Sequence, residues 1–393
     1  MVQILMSSQR TPKPVRSHHL IALMLLAAFV AQCSWFIASV PLNQLEADQV
    51  QRGVAQLRRI PFAIEPVTSP MVGLFSVAGI GLRLPHDPLL LDQFWLDQHR
   101  WFIRAPFLLA GLCLAFSLWY VARRLYGTAG GHIALALFAF SPGMVAASSL
   151  AGPQIFAAWG AFGLIFTAIA TAHTLYAPRE VILWNWRRIA LLGVSIAFAV
   201  GAQWPLLWLL LPAAAFMLWA VPHRRPAALL ILFAGAVMAL VLLDLCYLAD
   251  LGSLARGAAH MGLPTWEPES PRLLARMLAN FFFDASPGSL MAFCLAAVAW
   301  CASRRSRFFG NTAPLIVFLF LLGMSLLFPQ SGAGAILFAA LPFLMLFIAG
   351  VFADLSEGRL QAPAHAVIFA IIAAQAAYSI VSLIRLHSHP IGS

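Results

Sequence analysis

Residues 20–48 read LIALMLLAAFVAQCSWFIASVPLNQLEAD, a long apolar run that ends at a proline and is followed closely by two carboxylates. About 20 predominantly apolar residues are enough for a helix to cross the hydrocarbon core of a bilayer. The run is too long for the core of a signal peptide, and it follows Arg10, Lys13 and Arg16. We therefore interpret it as an uncleaved first span whose N-terminus is cytoplasmic.

The chain as a whole has the same apolar character. Its 393 residues are 62% hydrophobic and 10% charged, whereas a soluble domain is roughly 45–50% apolar and about 25% charged. A soluble globule is excluded, and we predict an all-α polytopic membrane protein with about 11 transmembrane helices and one interfacial helix. The predicted spans are 20–40, 102–121, 129–150, 155–173, 189–203, 206–221, 227–248, 287–301, 313–328, 333–352 and 366–384.

The basic residues set the predicted orientation. The net charge is +10, but Lys13 is the only lysine, and the arginines cluster between apolar runs. If residues 70–84 do not cross, these clusters share the cytoplasmic side with the N-terminus, as the positive-inside rule requires. We therefore predict an interfacial helix at 70–84, an inner-membrane location and no nucleic-acid partner. The five cysteines lie within apolar runs without CxxC spacing, so they are expected to be packing residues.

This orientation divides the chain into three expected segments. They are a cytoplasmic N-terminal segment at 1–19, a transmembrane domain at 20–353, and a C-terminal loop, last span and short outer tail at 354–393. Within the transmembrane domain, the outer loops are 41–101 and 249–286. Most of the acidic residues fall in these two loops, so we expect any chemistry to be located there.

Several short motifs resemble a known superfamily in their order and spacing. They are Glu46-Ala-Asp48, Thr68-Ser69-Pro70, Arg104-Ala-Pro106, Ser141-Pro142 and Gly152-Pro153-Gln154. Over residues 20–221 the chain resembles GT-C membrane glycosyltransferases, in particular the bacterial relatives of protein O-mannosyltransferases and of the lipid A aminoarabinose transferase. The resemblance implies a GT-C-like transmembrane domain and a hexosyl- or pentosyltransferase. Such an enzyme moves a sugar from a polyprenyl-phosphate-linked donor to an outer-face glycan, lipid or protein.

The resemblance implies that Glu46 or Asp48 is the catalytic base, since an inverting transfer needs a carboxylate to take the acceptor's proton. The alternative is an ordinary helix start, where acidic residues are favoured. The chain also departs from the family, because the usual aspartate position is Leu45 and a second, often acidic position is Gln154.

Glycosyl transfer remains the predicted function, and these departures motivate an alternative, a non-catalytic GT-C-fold subunit or scaffold of a larger membrane complex. A transporter is disfavoured, because its polar residues would lie near the bilayer midplane.

Three arginines are candidates for binding the donor phosphate. Arg52 and Arg59 are seven residues apart and would share one helix face, while Arg104 matches a family arginine. Alternatively, Arg52 and Arg59 anchor an interfacial helix among headgroups, and Arg104 snorkels at a span end.

The remaining candidates lie in the two outer loops. His260, Trp266, Glu267 and Glu269 combine aromatic and acidic side chains suited to binding the acceptor or sugar. A divalent cation is a candidate cofactor because a second group of residues carries imidazoles and carboxylates, although its spacing matches no metal motif. That group comprises His86, Asp87, Asp92, Asp97 and His99. The alternative is a structured outer loop for the first group and a solvated loop for the second, and the composition favours this alternative for both. We assign no residue as a metal ligand.

Overall fold

A computed structural model describes most of the chain. The described residues are 15–59, 70–81, 93–176, 186–248, 252, 254–255, 270–280, 286–302, 311–328, 333–357 and 361–388. Within these ranges the regular structure is entirely helical and no strand occurs. The prediction of an all-α chain is confirmed.

Fourteen α-helices follow one another along the described parts of the chain. The first seven are α1 (Val15–Ser39), α2 (Gln44–Leu57), α3 (Pro70–Ala78), α4 (Gln93–Ala139), α5 (Pro142–Ser149), α6 (Gln154–Tyr176) and α7 (Trp186–Ala202). The others are α8 (Leu210–Ala220), α9 (Arg225–Cys246), α10 (Ser270–Asn280), α11 (Pro287–Ala302), α12 (Ala313–Leu327), α13 (Ala333–Ser356) and α14 (Gln361–Ser388). Short 3₁₀ segments at Trp204–Leu209 and Pro222–Arg224 precede α8 and α9.

Each of the eleven predicted spans falls on helical structure, and the helices fall into two length classes. By length and composition, six helical stretches in the described residues can cross a membrane. They are His19–Ser39, Phe94–Ala139, Gln154–Leu175, Pro222–Cys246, Gly334–Ser356 and Gln361–Arg385. Shorter apolar helices lie at Trp204–Ala220, Pro287–Ala302 and Ala313–Leu327. The chain is therefore a multi-pass membrane protein.

Helix α4 carries two of the predicted spans and changes direction at Gly127. The backbone there has φ 79° and ψ −169°, a conformation that L side chains rarely adopt. The second of these spans, predicted at 129–150, is also interrupted: α4 ends at Ala139 and α5 restarts at Pro142. Ser141 caps α5 by accepting a hydrogen bond from the Met144 amide, with proline at the first helical position.

The end of α4 exposes backbone carbonyls that other helices use. A helix leaves its last four carbonyls without intrahelical partners. Here Gln32 of α1 donates to the Ala139 carbonyl at 3.0 Å, and Gln375 of α14 donates to the Leu137 carbonyl at 3.2 Å. Ser379 of α14 then donates to Gln32 Oε1 at 2.7 Å. The break in the predicted span therefore fixes α1 and α14 against α4.

Helix α13 forms the centre of the core. Every residue from 335 to 353 is buried, as expected for a helix that is hydrophobic on all sides. It packs against α4, α6, α11, α12 and α14. By contrast, most of the apolar surface of α9 and α14 is exposed, which places these helices at the periphery facing lipid.

Helix α3 is too short to cross a membrane, and the interfacial helix at 70–84 stays a prediction. The nine residues of α3 extend only about 14 Å at 1.5 Å per residue, far less than the roughly 30 Å of a hydrocarbon core. It packs instead on α2 where two glycines meet. A Cβ placed on Gly53 would lie 2.2 Å from the Gly73 carbonyl oxygen, so the two backbones are in direct contact.

This contact predicts an effect of adding a single methyl group. Gly53→Ala should lower the free energy of unfolding by about 1–3 kcal/mol, because α2 and α3 must move apart. The measurement is the thermal unfolding midpoint of the purified protein in detergent. Gly323→Ala is the matched control in α12, where an added Cβ meets nothing within 4 Å. An equal midpoint for both variants would contradict the close contact.

Candidate functional site

Glu46 lies in the first turn of α2 and is held there by a local capping motif. The Asn43 side chain accepts a hydrogen bond from the Glu46 amide at 2.9 Å. In return, Glu46 Oε2 accepts from the Asn43 amide at 3.1 Å. This reciprocal pair is a capping box, which satisfies two amides at the start of a helix. It also directs the Glu46 side chain back toward the end of α1.

Arg104, in the N-terminal part of α4, forms a buried two-pronged ion pair with Glu46. Its Nε donates to Glu46 Oε1 at 2.8 Å and its Nη2 to Glu46 Oε2 at 2.7 Å. The side-chain exposures of Arg104 and Glu46 are 0% and 2%. Arg104 also donates to the carbonyls of Val40 at 2.7 Å and Pro41 at 2.9 Å, where the chain leaves α1.

A fourth donor reaches the same carboxylate from another connection. The backbone amide of Ala151, between α5 and α6, donates to Glu46 Oε1 at 2.8 Å. Each oxygen of Glu46 therefore accepts two hydrogen bonds. The carboxylate joins the α1–α2 junction, α4 and the α5–α6 connection at one point.

The sequence predicts Glu46 as a catalytic base and Arg104 as a ligand of the donor phosphate, whereas in the structure the two residues bind each other. A carboxylate whose four acceptor sites are filled offers no oxygen to a substrate proton. Arg104 is fully buried and bonded to protein oxygens, so it does not reach a surface where a donor phosphate could contact it. In this structure both residues hold the loops together.

Asp48 is the more accessible of the two candidate bases. It lies two positions after Glu46, so it points to a different side of α2. Its side chain is half-buried, and Oδ1 accepts a hydrogen bond from Gln44 Nε2 at 3.0 Å. Asp48 therefore keeps acceptor capacity on a helix that Glu46 holds in place.

Arg52 and Arg59 do not share one helix face as the sequence predicts. Helix α2 ends at Leu57, and Arg59 has a left-handed backbone with φ 55°. The helical spacing that would align the two side chains therefore stops before Arg59. Arg52 is half-buried within α2, and Arg59 is exposed.

The second group of predicted binding residues lies outside the described residues. His260, Trp266, Glu267 and Glu269 all belong to the segment 256–269. Their assignment to acceptor or sugar binding remains a prediction.

Five residues were considered as ligands of a cation. Three of them lie outside the described residues, namely His86, Asp87 and Asp92. Asp97 Oδ1 accepts from the Leu42 amide at 3.0 Å, and the His99 ring stacks on Trp95 at 4.1 Å between centroids. Across the described ranges, no group of three or more His, Cys, Asp or Glu residues could hold a metal ion. The cation remains a prediction.

Two contacts of this site had no signal in the sequence. The Ala151 amide is a backbone donor, which no side-chain pattern reveals. The Asp97 contact to Leu42 joins residues 55 positions apart. Arg104 was a candidate because it matches a family arginine, and that match correctly indicated that α4 contributes to this site.

Comparisons with known proteins give matches at the level of structure. No family model and no curated protein matches the chain. The first solved structure that resembles it is archaeal oligosaccharyltransferase AglB from Archaeoglobus fulgidus, in complex with an inhibitory peptide and a dolichol-phosphate. That likeness has 14% identity and a TM-score of 0.48 over 96% of this chain. The chain spans 56% of AglB, just over half its length.

The second is ArnT from Cupriavidus metallidurans in the apo state, at 14% identity and a TM-score of 0.41, covering 88% of this chain and 77% of ArnT.

The ion pair predicts a large loss of stability when one partner is neutralised. Glu46→Gln should lower the free energy of unfolding by about 3–5 kcal/mol, because Arg104 is left as a buried charge without a counter-ion. The measurement is again thermal unfolding of the purified protein in detergent.

The double variant Glu46→Gln with Arg104→Gln should recover part of this loss, since it buries no charge. Asp48→Asn is the control and should change stability by no more than about 0.5 kcal/mol. Equal midpoints for Glu46→Gln and Asp48→Asn would show that the buried pair does not support the fold.

Proposed function

We propose that this protein is a membrane glycosyltransferase. It transfers a hexosyl or pentosyl group from a polyprenyl-phosphate-linked donor to an acceptor at the outer face of the inner membrane, with its N-terminus in the cytoplasm. The order of the GT-C-like motifs supports this proposal, as does the concentration of acidic residues in the predicted outer loops. A donor anchored in the bilayer would present its phosphate at the interface, close to those loops.

In the proposed reaction, an acceptor hydroxyl attacks the anomeric carbon of the donor sugar. Its proton passes to the Asp48 carboxylate as the new carbon–oxygen bond forms. The bond between the sugar and the phosphate breaks, and its electron pair leaves on the polyprenyl phosphate. Cationic groups near the leaving phosphate would stabilise the developing charge. Arg52 and Arg59 are the cationic groups that we propose for this role. A divalent cation is an alternative source of the positive charge.

One observation carries the choice of Asp48. Glu46 has every acceptor site filled by Arg104, Asn43 and Ala151, while Asp48 has one hydrogen bond, to a side chain of its own helix. A general base must be held in position and still have a lone pair available for the incoming proton. Of the two candidates, Asp48 meets both requirements.

A second candidate function has its own support. If the site lost its chemistry while keeping the fold, the remaining charged residues would serve structure. Glu46 and Arg104 do this, and Leu45 stands where the family usually has an aspartate. This favours a non-catalytic subunit of a membrane complex, which would bind partners rather than turn over a donor.

The assignment of Asp48 is tested by measuring donor consumption. Membranes containing the full chain are supplied with polyprenyl phosphates carrying radiolabelled hexoses or pentoses, and loss of label from the donor lipid is followed. Asp48→Asn should slow consumption by about 100-fold or more while leaving thermal stability unchanged. The fall is expected because the amide cannot accept the hydroxyl proton.

Gln44→Ala is the matched control. It removes the hydrogen bond to Asp48 but keeps the carboxylate, so the rate should stay within about threefold of wild type. Full activity in Asp48→Asn would overturn the assignment. If the wild-type protein consumes none of the donors and purifies only as a stoichiometric member of a larger complex, the non-catalytic function is supported instead.

A further inference from the structure

Helix α10 carries two exposed arginines on one face. Arg272 and Arg276 are four residues apart, so they are neighbours on the helix surface, with roughly 5–6 Å between their Cβ atoms. Ala275 and Ala279 lie on the same exposed face. Because alanine side chains are short, a ligand group has room to approach both guanidinium groups at once.

The other side of α10 packs on the bundle. Leu278 follows Arg276 by two residues, which is a rotation of about 200° around the helix axis. Leu278 is half-buried and packs against the hydrophobic core, and α10 contacts α12. The helix has 11 residues and extends only about 16 Å, so it is too short to cross a hydrocarbon core of about 30 Å. It lies against the bundle with its arginines exposed.

Hydrogen bonds place the chain that follows α10 in the same half of the bundle as α2. Ser286, directly before α11, accepts from Gln375 of α14 at 3.1 Å. Gln375 also donates to the last turn of α4, to which Gln32 of α1 donates as well. Gln32 lies seven residues, or about 10 Å, before Ser39, where α1 ends and the chain leads into α2. Only residues 281–285 separate α10 from Ser286, a reach of at most about 20 Å.

This position determines which anion the two arginines meet. Exposed guanidinium groups are costly within the hydrocarbon, so the arginine face of α10 lies at the headgroup level. The planar fork of arginine binds phosphate oxygens through paired hydrogen bonds. Neither Arg272 nor Arg276 is paired with a carboxylate of the described residues, so both charges are available to a ligand. A short helix with one apolar and one basic side is typical of binding to anionic lipids.

We propose that Arg272 and Arg276 together bind the headgroup phosphate of an anionic glycerophospholipid. A zwitterionic headgroup brings its own cation and is bound less well. The site is separate from Asp48, since α10 packs against α12 whereas α2 packs against α3 and α4. The binding is also independent of the proposed sugar transfer, because it needs neither Asp48 nor a sugar donor.

The test uses the full chain in phosphatidylcholine nanodiscs that contain a trace of a photoactivatable lipid. Two probes carry the same diazirine close to the glycerol and differ only in their headgroup, phosphatidylglycerol or phosphatidylcholine. Labelled peptides are identified by mass spectrometry after chymotryptic digestion, which does not cut at arginine. The phosphatidylglycerol probe should label α10 about tenfold or more above the phosphatidylcholine probe, because each arginine near an anionic headgroup contributes about fivefold.

Two variants locate the effect. The double variant Arg272→Gln with Arg276→Gln should lower labelling by the phosphatidylglycerol probe to the level of the phosphatidylcholine probe, since it removes both charges and keeps exposed polar side chains. Arg187→Gln is the matched control and should leave the labelling of α10 unchanged. Arg187 is also exposed, but it lies at the start of α7, whereas the end of α7 at Gly201 meets Met71 of α3.

Three results would overturn the proposal. They are equal labelling of α10 by the two probes in the wild-type protein, undiminished labelling in the double variant, and stronger displacement of the phosphatidylglycerol probe by polyprenyl phosphate than by unlabelled phosphatidylglycerol. The last result would assign the two arginines to the sugar donor. The first and the last use the unmodified protein, so they do not depend on whether a variant folds. Each can be obtained whether or not the protein transfers a sugar.

Discussion

The ion pair between Glu46 and Arg104 is the interaction on which the arrangement around α2 depends. Two buried charges are tolerated only when they meet with good geometry and their remaining acceptors are satisfied. Both conditions hold here, because Arg104 forms two bonds to Glu46 and two to carbonyls at the end of α1. The Ala151 amide completes the set. The α1–α2 junction, α4 and the α5–α6 connection are thus fixed relative to one another.

The spanning helices are fixed by a second set of polar contacts. In a bilayer, burial of apolar surface does not by itself drive helices together, so small residues and hydrogen bonds set their positions. The terminal carbonyls of α4 provide such bonds, accepting from Gln32 of α1 and Gln375 of α14. Helix α14 is mostly exposed to lipid, yet these contacts define where it docks. The interruption at Ser141-Pro142 that follows α4 therefore makes available carbonyls that position α1 and α14.

Much of this fold follows from the sequence, and the exceptions have physical causes. The lengths of the apolar runs predicted the helices. The distribution of the arginines predicted that residues 70–84, which contain α3, do not cross the membrane. The direct contact of Gly53 with Gly73 could not be predicted, because a glycine signals close approach without identifying its partner. The pairing of Glu46 with Arg104 was missed for a similar reason: both residues were singled out, but a separation of 58 positions carries no distance information. The Ala151 amide has no side-chain signature at all.

The positions of Glu46 and Asp48 follow from one property of α2. The capping box places Glu46 in the first turn, pointing inward, and two residues of helix turn the chain by roughly 200°, since 3.6 residues make one turn. The same rotation that buries Glu46 therefore leaves Asp48 on a more accessible side. Because the ion pair prevents α2 from rotating, it also fixes the direction of Asp48. A buried ion pair contributes little net stability compared with apolar packing, so its value here lies in positioning. A carboxylate that is accessible but cannot turn away is what general-base chemistry at this helix would require.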